Sequence, residues 1–483
     1  ALLAGGVFKV AVKSRPKVLI IPTGSELVDW RKLETHDVKP GQVLEFNSFV
    51  LGKLIEKCGG AFRRHDMVVD DTGKIKQALK KAVKEDYQLI MILGGSSAGS
   101  EDFAKTAIVD LGEIKVHGVT IMPGKPVVIG SVENKPVFGI PGYPVSAIIA
   151  FEQFVQPLLY ALLGQPPPQN ETIAVQPTKK IASKLGVEEF LRVKLGEVGD
   201  RIVATPLPRG AGTITSITEA DGIIRIPNHV EGINDTETVS AELLRPLAAI
   251  RRTIVIVGSH DNSLDVLADQ LKAGHADLTL SSSHVGSMGG LMAIKRGVCH
   301  LAGTHLLDTE DGTYNISYLK KYLPDTAVKL IHLVQRDQGL IVKPGNPKEI
   351  RGIEDLGRKD LSFINRQVGS GTRILLDYKL NQLGIKADAI NGYQNEEFTH
   401  MAVAVSVLSG SEDTGLGIYA AAKALSLDFI PVVTEQYDLV VHQEYFESEA
   451  VQILLDIINS PVFKQRVEAL GGYSTKNTGT VIL

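Results

Sequence analysis

The strongest constraint on this chain is a pattern that occurs twice: a short, wholly apolar run followed by a helical stretch with one apolar face. It runs from Lys17 to Gly164 as VLIIP, NSFVLGKLIEKCG, KIKQALKKAV and QLIMILGG. It resumes after Arg251-Arg252 with TIVIVGS and continues to the C-terminus. Apolar runs without polar alternation suit strands covered on both faces, and the helices between them supply the cover, so both stretches predict α/β folding around parallel sheets. Between them, Glu171 to about Ala248 reads EFLRVKLGEV, RIVATPL and DGIIRIPN, short alternating segments broken by Gly and Pro. That texture predicts a small all-β barrel or meander. Pro166-Pro167-Pro168 marks the linker before it, and the expected domains are 1–166, 167–248 and 249–483.

A chain of 483 residues has room for three such domains. Its 51 basic and 55 acidic side chains leave a net charge of −4, which argues against nucleic acid or a membrane surface as partner and leaves small polar or anionic ligands. Cys58 and Cys299 are too few for a disulfide scaffold and too isolated for a zinc site, so a reducing cytoplasm is expected. No apolar run approaches the roughly 20 residues of a membrane span. The opening at Ala1, with neither Met nor a signal pattern, reads as the middle of a longer protein.

In an open parallel sheet, ligands sit at the carboxyl ends of strands, where loops and helix N-termini present backbone N–H groups. Four loops of the first α/β stretch take that place: Thr23-Gly24-Ser25-Glu26-Leu27, Gly94 to Asp102, Pro123-Gly124-Lys125-Pro126, and Gly139 to Ala147. The second brings glycines for close backbone approach, hydroxyl donors, and a carboxylate at Asp102 suited to a divalent cation. Singly each reads as a connecting turn. No GxGxxG follows the first strand, which disfavours a dinucleotide fold. Asp70-Asp71 reads as a helix N-cap, His65 and His117 as packing or singly bonded histidines, and Trp30 as packing or interface.

Taken together, TGSEL, GGSSAGSED, PGKP and IPGYPVSA resemble the molybdopterin-binding domain of MoeA and gephyrin-type molybdenum insertases, across roughly residues 8 to 164. The β unit lies where that family carries its small C-terminal β domain. The resemblance implies that adenylylated molybdopterin and molybdate, or tungstate, give molybdenum cofactor with release of AMP, assisted by Mg2+, in a homodimer. It implies Asp102 and Glu26 as carboxylates near metal and substrate, and Lys125 facing anionic groups. Thr23, Gly24, Ser25, Gly94, Gly95, Ser97 and Gly99 would cradle the pterin phosphate, with Pro141, Pro144 and Ser146 shaping the fourth loop. Ser25 stands where the family usually has Asp, Met122 where it has Lys, Tyr143 where it has Asn, and Ser96 and Ala98 where it has Val. Losing a carboxylate and an ammonium makes pterin binding a firmer expectation than turnover. The family's N-terminal domains are absent from this stretch.

The last stretch has four further turns: Ser259-His260, Ser281 to Ser287, Asn365 to Arg373, and Ser411 to Gly417. Hydroxyl groups at helix starts make neutral donors for an oxyanion, although Ser and Thr also serve as ordinary N-caps. The expected cleft residues are Ser259, His260, Ser283, His284, Ser370, Thr372, Arg373 and Asp413, without metal ligation. SHVGSMGGL, NRQVGSGTR and EDTGLGI resemble the type II periplasmic-binding-protein fold. That implies two lobes, joined by crossing strands near LVQRDQGLIV and PVVTEQYDLVV, with the last helices returning to the first lobe. The leading expectation is a molybdenum insertase with an attached oxyanion module. The alternative is a non-catalytic pterin and oxyanion sensor, favoured by Ser25 and Met122, whereas Glu26, Asp102 and Lys125 favour the enzyme. Nucleotide or sugar chemistry is weakest, because it leaves PGKP and PGYP unexplained.

Overall fold

The computed structural model describes residues 1–33, 38–94, 102–308 and 310–483. In the first domain β1 (Lys17–Pro22), β2 (Ala61–Arg64), β3 (Leu89–Leu93), β4 (Glu113–His117), β6 (Val128–Val132) and β7 (Lys135–Ile140) form one sheet in the order β2-β1-β3-β7-β6-β4. The two-residue β5 (Ile121–Met122) leaves this sheet for the next domain. Strands β2, β1, β3, β7 and β4 run in one direction, and β6 between β7 and β4 runs against them, because a tight hairpin at Glu133-Asn134 turns the chain straight back. The apolar run of β1 divides by alternation. Val18 and Ile20 join Leu51 and Ile55 of α1 (Asn47–Lys57) on one face, whereas Leu19 and Ile21 join Ile75 and Leu79 of α2 (Thr72–Ala82) on the other. Helix α3 (Phe103–Leu111) packs on that second face.

Helix α4 (Pro144–Ala150) continues through a π turn (Phe151–Val155) into α5 (Gln156–Leu163). Pro157 lacks an N–H and crowds the preceding turn, and the π geometry just before it accommodates both. This corrects the expectation that no segment approaches a membrane span: Pro144–Leu163 has 20 residues at hydropathy 1.4, long and apolar enough by that test. Half of it is buried, with Val145, Ile149, Phe151, Val155 and Leu159 inside the protein. It is a core helix of this domain, interrupted in the sequence by Glu152, Gln153 and Gln156.

Strands β8 (Thr172–Pro177), β9 (Glu188–Val198), β10 (Arg201–Pro206), β11 (Gly222–Ile226) and β12 (Val239–Leu243) close a five-stranded barrel in the order β10-β8-β12-β11-β9, with β9 returning to β10. β5 of the first domain pairs beside β9, Glu189 opposite Met122, so one sheet spans both domains. Ile250 completes the barrel core.

The C-terminal module has one mixed sheet of β14 (Thr279–His284), β13 (Thr253–Gly258), β15 (Leu301–Thr304), β19 (Asp428–His442), β16 (Val328–Val342), β18 (Thr414–Ile418) and β17 (Phe363–Arg366), in that spatial order. β16 and β19 are 15 residues each and pair from Val328↔His442 to Val342↔Asp428, crossing between the two lobes at the segments expected from sequence. Helices α10 (Glu449–Asn459) and α11 (Pro461–Leu470) return to the first lobe, where Leu454, Ile458 and Phe463 pack with Leu267 and Leu271 of α6 (Asn262–Gly274). Helix α7 (Gly286–Arg296) completes that lobe, and α8 (Gly371–Leu383) and α9 (His400–Ser409) cover the second.

The barrel and the first lobe share a core: Val198 and Val203 cluster with Val255, Val257 and Leu291. Gly196 makes this contact possible, since a Cβ there would lie 2.5 Å from Val255 Cγ2. Val255 is β-branched and cannot swing away easily. Gly196→Val is therefore expected to destabilise the protein by about 1–3 kcal/mol through overpacking. Urea unfolding checks this, and a midpoint equal to wild type would contradict the shared core.

Candidate functional site

The four parallel strands of the first domain end at one edge, and the family-like loops gather there. Thr23 is buried, and both its N–H and its hydroxyl donate to Leu93 O, at 2.7 and 3.0 Å. Gly24 N donates to Val68 O and Gly94 N to Ile140 O. Gly94 has φ +87°, and a Cβ there would lie 2.4 Å from Thr23 O, so the two loops touch through bare backbone. Ser25 N donates to Asp70 Oδ2 at 3.1 Å, and Asp70 N returns a bond to Ser25 Oγ at 3.2 Å. The backbone N–H groups of Thr23, Gly24, Ser25 and Gly94, expected to lie in the cradle of the pterin phosphate, thus have partners within the chain that hold the loops together. Gly95, Ser97 and Gly99 lie outside the described residues.

Asp102 is the N-cap of α3. Its Oδ1 accepts from Lys105 N at 2.9 Å, and its Oδ2 lies 3.3 Å from His117 Nε2. Glu26 and Lys125 are exposed. Pairing of β5 with the barrel sets the PGKP loop at this edge, beside the start of β6, which lies opposite the end of β7. Pro141 and Pro144 flank the exposed Tyr143, Pro144 opens α4, and Ser146 is buried. Asn47 Nδ2 donates to Gly142 O at 2.6 Å and Val145 N to Ala211 O at 3.0 Å, fixing the loop from both sides. Asp70 is the residue that sequence reasoning missed: Asp71 is the true N-cap of α2, whereas Asp70 sets a carboxylate beside Ser25. Among the described residues no three His, Cys, Asp or Glu side chains gather closely enough to hold a metal.

The C-terminal module is closed. Gly286 and Gly369, with φ +78° and +82°, meet across the lobes, and a Cβ at Gly286 would lie 3.0 Å from Gly369 O. Several expected cleft residues play other parts. Ser281 to Ser283 belong to β14 rather than to a helix start, and Ser283 Oγ bonds Thr178 Oγ1 of the barrel. EDTGLGI is mostly β18, and Asp413 precedes it, bonding Ser362 N and Oγ before β17. Because β17 and β18 are parallel, that is the end of the sheet opposite Arg366 and Ser370. Arg373 is engaged by Asp377, Glu396 and Tyr393, with its guanidinium 4.1 Å over the Tyr393 ring. Ser259 Oγ bonds His305 Nε2 at 2.8 Å, Ser370 Oγ caps α8, and Thr372 Oγ1 accepts from Gln338 Nε2 at 2.7 Å.

The junction between the lobes, termed the chamber, carries buried polar atoms with no hydrogen-bond partner among the described residues: His260 Nδ1, His284 Nδ1, both ring nitrogens of His400, Gln338 Oε1 and Arg366 Nη1. They come from both lobes and from a crossing strand. The His260 and His284 rings lie edge to face at 4.5 Å. Arg366 donates only to Gln367 Oε1 and to the carbonyls of Glu397 and Phe398, and burial pushes its pKa down to about 9. It thus stays charged at neutral pH without a carboxylate partner. Arg336, by contrast, is paired with Asp261 and Glu435. Burial, and then the neighbouring His260, Lys179 and Arg366, push His284 down to about 3, so it is a neutral imidazole. Arg366, His400 and Gln338 carried no sequence signal beyond their residue types. Only the pairing of the two crossing strands and the closure of the lobes bring them together.

Neutral burial of His284 sets a sign for acid stability. Its folded pKa of about 3, and that of His300 at about 4, lie below the ordinary 6.5. Between those values the unfolded chain binds more protons than the folded one, so stability falls as pH falls, by up to about 1.4 kcal/mol per pH unit for each histidine. Urea unfolding of the ligand-free protein from pH 7 to pH 4.5 is expected to show a shallower decline in His284→Asn than in wild type. Equal slopes would contradict the neutral assignment.

Residues 19–161 match the family described as "Probable molybdopterin binding domain", residues 174–244 the "MoeA C-terminal region (domain IV)", and residues 268–459 the "PBP superfamily domain". The chain is 39% identical over 232 residues to the uncharacterized protein YvgK of Bacillus subtilis, covering 48% of this chain and 74% of that one. It is 29% identical over 241 residues to the molybdopterin molybdenumtransferase of Haemophilus influenzae, covering 49% of this chain and 58% of that relative. A molybdopterin biosynthesis MoeA protein from Pyrococcus horikosii aligns in structure with 36% identity and a TM-score of 0.43, over 51% of this chain and 58% of that one. The chain thus spans little more than half the length of these molybdopterin relatives. It carries a probable molybdopterin binding domain and a MoeA C-terminal region, is similar over these to proteins of molybdenum cofactor biosynthesis, and has a PBP superfamily domain after them.

Proposed function

We propose that this protein acts in the cytoplasm in molybdenum cofactor biosynthesis, converting adenylylated molybdopterin and molybdate, or tungstate, into molybdenum cofactor and AMP as a homodimer. The observation that carries this reading is the convergence of the Ser25–Asp70 pair, Asp102, Lys125 and the 141–146 loop at one sheet edge. Lys125 makes no ion pair among the described residues and is free to meet an anionic substrate group. Asp70 restores a carboxylate beside the loop where Ser25 replaces the family's Asp. His117 Nε2, 3.3 Å from Asp102 Oδ2, orients that carboxylate. Mg2+ takes one or two carboxylates together with phosphates and water, so the oxygens of Asp102, Glu26 and Asp70 are suitable donors. When bound it would neutralise charge on the departing phosphate. This chain's own groups bind, orient and balance charge around that phosphate.

The closed chamber is proposed to hold the oxyanion. A buried, unpaired guanidinium is costly without a counter-charge, and the neutral imidazoles and the Ser370 and Thr372 hydroxyls supply donors around it. The second reading, a sensor that binds pterin and oxyanion without turnover, is favoured by the engagement of both Asp102 oxygens within the chain.

AMP release from adenylylated molybdopterin with molybdate separates the two readings. Asn caps helices as well as Asp does, so Asp102→Asn keeps the fold and removes the charge. It is expected to slow AMP release about a hundredfold. A rate equal to wild type would contradict the catalytic role, and no AMP release by wild type would support the sensor. For the chamber, Arg366→Gln is expected to weaken molybdate binding about a hundredfold in calorimetry, the scale of removing one partner from a buried pair. Unchanged affinity would contradict it.

A further inference from the structure

The chamber's first-lobe wall is bonded to the barrel. Thr178 Oγ1 and Ser283 Oγ are 3.2 Å apart and buried, which brings the turn after β8 against the residue preceding His284. The next residue in that turn is Lys179. It is half-buried and makes neither hydrogen bond nor ion pair among the described residues. The charge it feels most is a like one, Arg209, which is itself held by Glu189 at 3.1 Å. His284 directly follows the bonded Ser283, is near enough for the Lys179 charge to act on it, and has a buried Nδ1 without a partner among the described residues. A partly desolvated ammonium that neighbours a guanidinium and an unsatisfied imidazole lacks a counter-charge, and an anion held by His284 would supply one.

We propose that Lys179 is a ligand-contacting residue of the chamber, so that the oxyanion site is shared between the MoeA-like half and the C-terminal module. This rests on the oxyanion reading of the chamber. The shared site also has a route to the first domain. Arg209 stands on the segment whose Ala211 O accepts from Val145 N, in the IPGYPVSA loop. An anion that neutralises Lys179 relieves its repulsion of Arg209, and the loop that Arg209's segment holds is the one that shapes the first-domain edge.

The test uses the full chain titrated with sodium molybdate, and with sodium sulfate for comparison, by calorimetry and by melting. Lys179→Ala is expected to weaken binding of the preferred anion about tenfold. Its ligand-free melting temperature should equal or exceed that of wild type, because a repulsive charge is removed. Lys179→Arg should recover most of the affinity. Wild-type affinity in Lys179→Ala, with binding lost in Arg366→Gln, overturns this inference and leaves the chamber reading standing. A ligand-free melting temperature that falls in Lys179→Ala makes the residue structural and also overturns it. No binding of either anion by wild type overturns both.

Discussion

The C-terminal half is organised around the balance of buried charge on its two crossing strands. Arg336 of β16 and Glu435 of β19 are both buried and 2.6 Å apart, at the point where the chain passes between lobes. Asp261, the N-cap of α6, supplies a second carboxylate to Arg336, and His305 leans on Glu435 at 3.0 Å. Gln338 bonds both Glu435 and Thr372, which ties the same network to the second lobe. Breaking a buried pair is far more costly than breaking one at the surface, so this cluster holds the hinge in register. Because Arg336 is neutralised internally, Arg366 is left, among the described residues of this module, as a buried arginine without a carboxylate partner.

The two halves of the molecule are joined by more than a linker. β5 leaves the first domain to lengthen the barrel sheet, and β9 of the barrel packs against β13 through Gly196 and Val255. The edge bearing Asp102 and Lys125 is thereby connected, through paired strands and a shared core, to the lobe bearing His260 and His284. Such an arrangement gives a physical basis for the first-domain edge and the lobe junction to act on one another without domain encounter.

The fold was legible in the sequence wherever the signal was local. VLIIP, LIMIL and TIVIVG announce buried strands, and the texture change after Pro168 announces the barrel. Three of the family-like loops at the sheet edge were legible for the same reason, since each follows a strand of that sheet directly, whereas PGKP follows β5, which pairs with the barrel. The misreadings have a common cause. Ser281 to Ser283 look like a cap, but they form an edge strand whose hydroxyl faces the barrel, a partner about a hundred residues earlier in the chain. Asp413 and Arg373 sit beside turns that look equivalent, yet strand direction sends one to the far end of the sheet, and local carboxylates consume the other. Asp70, Lys179, Arg366 and His400 derive their roles from long-range neighbours, which no local pattern records.

The proposed oxyanion site at the lobe junction is centred on the uncompensated charge of Arg366. The most direct measurement is a crystal structure of the chain grown with molybdate, with anomalous scattering recorded at the molybdenum edge. An anomalous peak is expected within hydrogen-bonding reach of Arg366 Nη1, His400 and His284. A chamber that stays empty while molybdenum binds elsewhere, or a carboxylate of the chain swung in to pair Arg366, would contradict it.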